Sequence, residues 1–305
     1  MKYETNFKHE TKKLGKHEFT LCPSVLTERA DASFPLLERL FVLIISPLLI
    51  VLISIMTLFM VLGPKSLRQN LISKFIPKTM ARVANQYKDV RKTLLSPEMI
   101  SNCKILDVGS GGGAYMQLLS SASKIVALEP ITKMHPIIRN VAQDAGIEVG
   151  ESIEEGEKKY DASKSQLEIL ACGIEEYIET HPEEIHSFDW VILGNVLCEV
   201  PSQSSTLKSV DKLLKIGGHV YFSEHVGYKI GSTMRKIQDA CNPWWRIVSG
   251  GCNCNRDTVQ EIEKMKYHWD IISWDYSGAE IGQGPPLIGP FHLGLALKTN
   301  SGKEE

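Results

Sequence analysis

The chain has 305 residues, with 34 Lys and Arg against 36 Asp and Glu, a net charge of −2, and 43% hydrophobic residues. That length suits one domain with an extension, and near-neutral charge gives no reason to expect a nucleic-acid partner. Seven cysteines, at 22, 103, 172, 198, 241, 252 and 254, show no paired framework, which fits a reducing, cytosol-facing compartment.

Residues 1–33 mix lysines and acids with few apolar side chains and read as a disordered segment. Residues 34–64 read as a membrane anchor: no charge falls between Leu40 and Pro64, and about 20 apolar residues suffice to cross a bilayer as a helix. Pro47 leaves two geometries open, a kinked spanning helix or a hairpin that enters and leaves on one side. The basic stretch 65–92 carries eight Lys or Arg and one Asp, so the positive-inside rule keeps the following domain cytosolic. Within 65–100, Met80, Val83, Ala84, Tyr87, Val90 and Leu94 recur at helical spacing. That helix either packs on the catalytic domain, lies on acidic lipid, or shows a solvated basic face.

Residues 101–300 form the main domain. Ile105, Leu106 and Val108 make an apolar strand that carries Asp107 into Gly109, Gly111 and Gly113. A short helical segment is expected next, then a second strand from Ile125 to Leu128 that ends at Glu129-Pro130. A strand, a glycine turn, a helix and a strand ending in a carboxylate are the parts of a nucleoside-binding unit, with Glu129 placed to accept from a ribose diol. A glycine-rich turn after any buried strand is the bland alternative. Glu151 to Ser165 is a charged insertion. Leu167 to Gly173 reads as a third strand, followed by Ile174 and Glu175, and Phe188 to Leu197 as a fourth, apolar throughout. A helix signal at Leu207, Val210, Leu213 and Leu214 is closed by Lys215 and Gly217-Gly218, and His219 to His225 reads as strand five. Val259 to Met265 is helical in pattern, and Lys266–Tyr276 and Pro290–Lys298 are strand-like.

The Asp-x-Gly-x-Gly-x-Gly spacing of residues 107–113 resembles motif I of the class I S-adenosylmethionine (SAM) methyltransferases. The resemblance implies an α/β, Rossmann-like fold, with a seven-stranded, mostly parallel sheet and an antiparallel terminal hairpin. It implies SAM as cofactor, held by Asp107, Gly109, Gly111, Gly113, Glu129 and Pro130. Gly173, Ile174 and Glu175 stand where that family holds the adenine, and Asn195 and Val196 where its fourth strand passes beside the cofactor. Gly194-Asn-Val-Leu-Cys-Glu-Val200, Phe222-Ser-Glu-His-Val226, Asn242-Pro-Trp-Trp245 and Gly251-Cys252 leading to Arg256-Asp-Thr258 are similar to methyltransferase-like family 7. These are small thiol methyltransferases of the endoplasmic reticulum and lipid droplets. The family's adjacent cysteine pair is here split by Asn253.

A small lipophilic substrate is therefore expected, with a thiol as acceptor. An oxygen or nitrogen acceptor, and a non-catalytic SAM-binding role, are the alternatives. His225, after the end of strand five, is the candidate general base, with a structural histidine as the other reading. Cys198, Trp244 and Trp245 are candidates for the substrate pocket, with packing as the alternative. No metal is expected, because Cys252-Asn-Cys254 lacks both the usual spacing and further ligands.

Overall fold

The computed structural model describes residues 91–150 apart from 93, residues 165–277 and 291–299, residues 10–14 and 17–21, and positions 58, 63, 64, 66 and 70. The hydrophobic stretch 40–64 and the insertion 151–164 therefore lie almost wholly outside the described residues. Among the described residues, no helix is long and apolar enough to cross a membrane.

Strands β1 (Glu10–Leu14) and β2 (His17–Leu21) pair antiparallel, from Glu10 opposite Leu21 to Leu14 opposite His17. This corrects the expectation of disorder for those residues. Phe19 and Leu21 alternate with polar neighbours, which is the period a strand needs. The main domain follows as α1 (Pro97–Ile100), β3 (Lys104–Val108), β4 (Lys124–Leu128), α2 (His135–Asp144), β5 (Glu148–Val149) and β6 (Gln166–Leu170). Next come α3 (Ile174–Thr180), β7 (Phe188–Gly194), α4 (Gln203–Leu213), β8 (Leu214–His225) and α5 (Thr233–Val248). The described chain closes with α6 (Thr258–Glu263), β9 (Trp269–Ser277) and β10 (Phe291–Lys298).

These strands form one sheet in the order β5-β6-β4-β3-β7-β8-β10-β9. The first six are parallel, and β10 runs antiparallel to both β8 and β9. Eight strands rather than seven are present because the two-residue β5 adds an edge beside β6. It is too short to leave a periodic signal.

Each central strand is buried on both faces, as parallel strands covered by helices are. Leu106, Val108, Val126, Leu128, Val191 and Leu193 pack on one side with Ile174, Leu207, Val210 and Ile262 from α3, α4 and α6. Ile105, Ile125, Ala127, Trp190 and Ile192 pack on the other with Ile100, Ile138 and Ala142 from α1 and α2.

Two local expectations change. The segment after the glycines is a run of turns, not an α-helix: the N–H groups of Gly113, Met116, Leu118 and Ala122 each bond the carbonyl three residues back. Left-handed backbone at Gly109, Gly111 and Gly113, with φ of 67°, 54° and 75°, prevents a helix from starting there. Strand β8 begins at Leu214, so Lys215 and Gly217-Gly218 lie within it and do not terminate the preceding helix. Leu214 takes extended backbone with ψ of 136° and is fully buried, which ends α4 one residue before the lysine.

The antiparallel end of the sheet is clamped to α4 through Asp211. Trp269 Nε1 donates to Asp211 Oδ1 at 2.8 Å. The buried Lys298 ammonium donates to the Asp211 and Leu214 carbonyls and lies 3.5 Å from Asp211 Oδ1. Removing one partner of a buried ion pair strands the other charge. Asp211→Ala should therefore lower stability by about 3–5 kcal/mol in chemical denaturation. A loss typical of a surface substitution would show that Lys298 is satisfied by the carbonyls alone.

Candidate active site

The parallel strands bring their carboxyl ends into one row, and nearly every residue singled out in the sequence lies along it. At the end of β3, Gly109 and Ser110 donate their backbone N–H groups to the Leu128 carbonyl, at 2.8 and 3.2 Å. This lays the glycine turn across the end of β4. A Cβ at Gly109 would stand 2.6 Å from Val196 Cγ2, so only glycine lets the turn meet the end of β7. A Cβ at Gly111 would come no closer than 3.9 Å to another atom, so that part of the turn faces open space.

Asp107 is buried beneath the turn and accepts from Ser110 Oγ at 2.6 Å. Burial pushes its carboxyl up to about 7, against the pull of that hydroxyl and with a further push from Glu129. Glu129 follows β4. Its Oε2 accepts from Gly111 N and its Oε1 from Ile131 N, both at 2.8 Å. One carboxylate thus ties the glycine turn to the chain beyond β4, and each oxygen keeps a lone pair for another donor. Burial raises its pKa, while the two backbone donors lower it. Pro130 beside it is exposed.

Beyond β6, Gly173 is the N-cap residue of α3, and a Cβ there would meet only Glu175 Oε2, at 3.9 Å. Glu175 Oε1 accepts from Thr206 Oγ1 at 2.9 Å, and Ile174 is buried in the core below. On the other side, Asn195 takes left-handed backbone, with φ of 58°. Its Oδ1 is buried with no partner among the described residues. Val196 and Leu197 donate their N–H groups to Glu224 Oε1 at 2.9 and 3.1 Å. Glu224 is fully buried, and the desolvation raises its carboxyl to about 7.

Beyond the ends of β7 and β8, three segments meet. Cys198 lies just after β7, and its thiol donates to the Asn195 carbonyl at 3.3 Å. His225 ends β8 and holds its Nε2 2.9 Å from Cys252 Sγ, while its Nδ1 is buried without a partner among the described residues. Trp245 Nε1 donates to Cys252 Sγ at 3.2 Å. The Cys198 thiol and the His225 ring both favour the Cys252 thiolate and draw its pKa down, and the same coupling pushes Cys198 up. Trp244 lies edge-on to Trp245 with ring centroids 6.2 Å apart. The loop after α5 is pinned over these groups. Asn253 donates from N and Nδ2 to the Cys198 carbonyl at 2.9 and 3.0 Å, and Arg256 Nη1 donates to the Leu197 and Val200 carbonyls at 2.6 and 2.7 Å.

Five participants were not singled out as site residues in the sequence: Cys252, Glu224, Asn253, Arg256 and Arg91. Arg91, 2% exposed, donates to Ser223 Oγ at 3.3 Å and stands 4.9 Å from the Tyr115 ring centroid. It has no carboxylate partner among the described residues, and Tyr115 packs on Gly194 at the end of β7. A buried guanidinium left this way suits an anionic group from outside the chain. Its only sequence signal was a place in a basic amphipathic stretch.

A family model described as a methyltransferase domain matches residues 75–265. The chain belongs to that methyltransferase family. It is a SAM-dependent methyltransferase with the class I, Rossmann-like fold, here carrying a mixed eight-stranded sheet. The rat thiol S-methyltransferase TMT1B is 25% identical over 285 residues, covering 88% of this chain and 100% of the relative. A ubiquinone biosynthesis O-methyltransferase of Vibrio cholerae is 29% identical over 200 residues, covering 65% and 71%. The N-methyltransferase NodS of Bradyrhizobium japonicum, solved with S-adenosyl-L-homocysteine, has a TM-score of 0.47 at 12% identity, covering 70% of this chain and 87% of that one.

The residues present fit this cofactor. The space in front of Gly111 and Gly173, the acceptor lone pairs of Glu129, the unpartnered Asn195 Oδ1 and the buried Arg91 line one row. Glu129→Ala removes a charged acceptor, worth about 1.5–3 kcal/mol per hydrogen bond, and should weaken SAM roughly tenfold or more in equilibrium dialysis. Unchanged affinity would place the ribose elsewhere. Asp107 carries a pH signature. Its folded pKa of about 7 lies above the ordinary 3.8, so its stabilising contribution is complete below the lower value and is lost as pH rises through the higher. Asp107→Asn should overtake the wild type in thermal stability across that window, by roughly 2–4 kcal/mol at the top. Parallel curves would mean that Asp107 titrates normally.

Proposed function

We propose that this methyltransferase acts on the sulfur of a small lipophilic thiol and works from a membrane surface. The observation that carries the reading is the match, over the relative's whole length, to a protein named as a thiol S-methyltransferase. In our assignment Glu129 takes the ribose diol, Gly173 and Glu175 border the adenine, and Asn195 and Val196 flank the centre. Arg91 faces the carboxylate of the amino-acid end. When bound, SAM supplies the electrophilic methyl group; the chain positions the acceptor and excludes water.

The acceptor side suits sulfur. A free thiol has a pKa of about 8.5 and is already a few per cent thiolate at neutral pH, so it demands no strong base. His225, the candidate base, spends its Nε2 on Cys252. Trp245 and the buried Cys198 and Cys252 offer soft, weakly polar surface beside it. Residues 40–64 are the proposed anchor, and the basic stretch 65–92 the proposed contact with acidic lipid, which keeps the domain cytosolic on the endoplasmic reticulum or a lipid droplet.

The Vibrio cholerae relative favours a second reading, an oxygen acceptor on a quinol. Methyl transfer from labelled SAM by the full-length membrane-bound protein separates the two. The panel holds a lipophilic thiol, its alcohol isostere and a quinol, with Glu129→Ala as the blank. Label on the thiol alone is expected; label on the quinol or the alcohol would replace the substrate class. Removing residues 1–64 should release the protein from carbonate-washed membranes, and retention would put the anchor elsewhere.

A further inference from the structure

We infer that Cys198, His225 and Cys252 form a site for a thiophilic divalent metal ion, zinc being the best fit, with its open position facing the acceptor pocket. The sequence pairs Cys252 with Cys254, two residues away, and on that pairing a metal is not expected. The fold pairs it differently. Cys254 turns its sulfur away, toward Asn242 Oδ1 at 3.5 Å and the Gln238 carbonyl at 3.9 Å. Cys252 instead meets a cysteine that follows β7 and the histidine that ends β8. The two sulfurs and the imidazole nitrogen lie within 4.8 Å of one another, and all three residues are buried.

The spacing suits an ion. Zinc binds sulfur at about 2.3 Å and imidazole nitrogen at about 2.0–2.1 Å, so its tetrahedral ligand atoms stand about 3.6–3.8 Å apart. The present His225 Nε2 to Cys252 Sγ distance of 2.9 Å is that of a shared proton, and replacing the proton by an ion needs an opening of under about 1 Å. Two thiolates and one imidazole are a soft donor set of the kind that selects zinc over magnesium or calcium. They would also cancel the charge of a divalent ion in a buried site.

The surroundings are those of a supported site. Trp245 Nε1 donates to Cys252 Sγ at 3.2 Å, the outer hydrogen bond that orients a thiolate ligand. Asn253 fastens the Cys252 loop to the Cys198 carbonyl through two bonds, and Glu224 holds the turn before Cys198 through the Val196 and Leu197 N–H groups. His225 Nδ1 can carry the ring proton, leaving the Nε2 lone pair toward the sulfurs. No fourth histidine, cysteine or acid joins the cluster among the described residues. Three protein ligands with one position open is the pattern of catalytic zinc, as against the four of a structural site.

Resting on the proposed thiol reading, the open position would take the acceptor's sulfur. The S–H proton leaves to water, the sulfur lone pair forms the bond to the ion, and the thiol is held as thiolate with no change of oxidation state.

The test uses the reduced full-length protein in detergent, loaded with cobalt(II) or zinc(II) alone, with SAM affinity measured on the same samples. One ion per chain and thiolate-to-cobalt charge-transfer absorption are expected. Cys252→Ser and His225→Asn should each weaken binding roughly 100-fold or more, while Cys254→Ser leaves it unchanged. A SAM-competent wild type that binds no ion would overturn the site, as would undiminished binding by Cys252→Ser or a Cys198–Cys252 disulfide in the protein as isolated. Adding a lipophilic thiol should shift the cobalt spectrum, and its alcohol isostere should not. An ion bound with a spectrum indifferent to thiol would overturn the acceptor role while leaving the site standing, so the two failures are distinguishable.

Discussion

The Glu129 carboxylate is the contact on which the site depends. It accepts the N–H groups of Gly111 and Ile131 at the same distance, 2.8 Å, and so bridges the turn after β3 to the chain after β4. Without it, Gly111, whose N–H it alone accepts, would lose its tie, although Gly109 and Ser110 stay bonded to the Leu128 carbonyl, and glycine gains most freedom when released. With it, the turn that lies against Val196 is also tied to the chain beyond β4. An anion buried there is costly, which is why its pKa rises even with two donors in place. The same carboxylate therefore shapes the turn and keeps a lone pair on each oxygen, the acceptors that our proposal gives to a ribose diol.

The ends of β7 and β8 follow a parallel logic with a different residue. Glu224, buried in the sheet near the end of β8, holds the turn after β7 as Glu129 holds the turn after β3. The loop that carries Cys252 is then fastened to that turn through Asn253 and Arg256. The carboxyl end of the sheet thus carries two adjoining groups, the glycine turn with Glu129 and the cluster of Cys198, His225 and Cys252, each organised by one buried acid. The Asp211 clamp performs no chemistry, but it docks the antiparallel strands that carry the sheet past β8.

Much of this was legible in the residues. Parallel strands covered on both faces write themselves as unbroken apolar runs, so β3, β4, β6 and β7 could be read to within a few residues. Gly109 and Glu129 were legible because a left-handed turn and a carboxylate at a strand end are each chemically specific. Other features had no local signal. Strand β5 is shorter than any period, and Leu214 looks like the last apolar residue of a helix until its burial in the sheet is seen. Arg91 resembled a surface cation. The grouping of Cys198, His225 and Cys252 comes from three separate segments that only the topology joins, whereas the visible pair, Cys252 and Cys254, points in different directions. The apolar stretch 40–64, the plainest feature of the sequence, lies almost entirely outside the described residues.

If the turns at the carboxyl ends form one cofactor cradle, hydrogen–deuterium exchange of the full-length protein with and without SAM will show added protection at four separated places together, residues 109–113, 129–131, 173–175 and 195–197. The opposite ends of the same strands will change little. Protection confined to one turn, or centred on the opposite edge of the sheet around Lys215–His219, would contradict a single cradle.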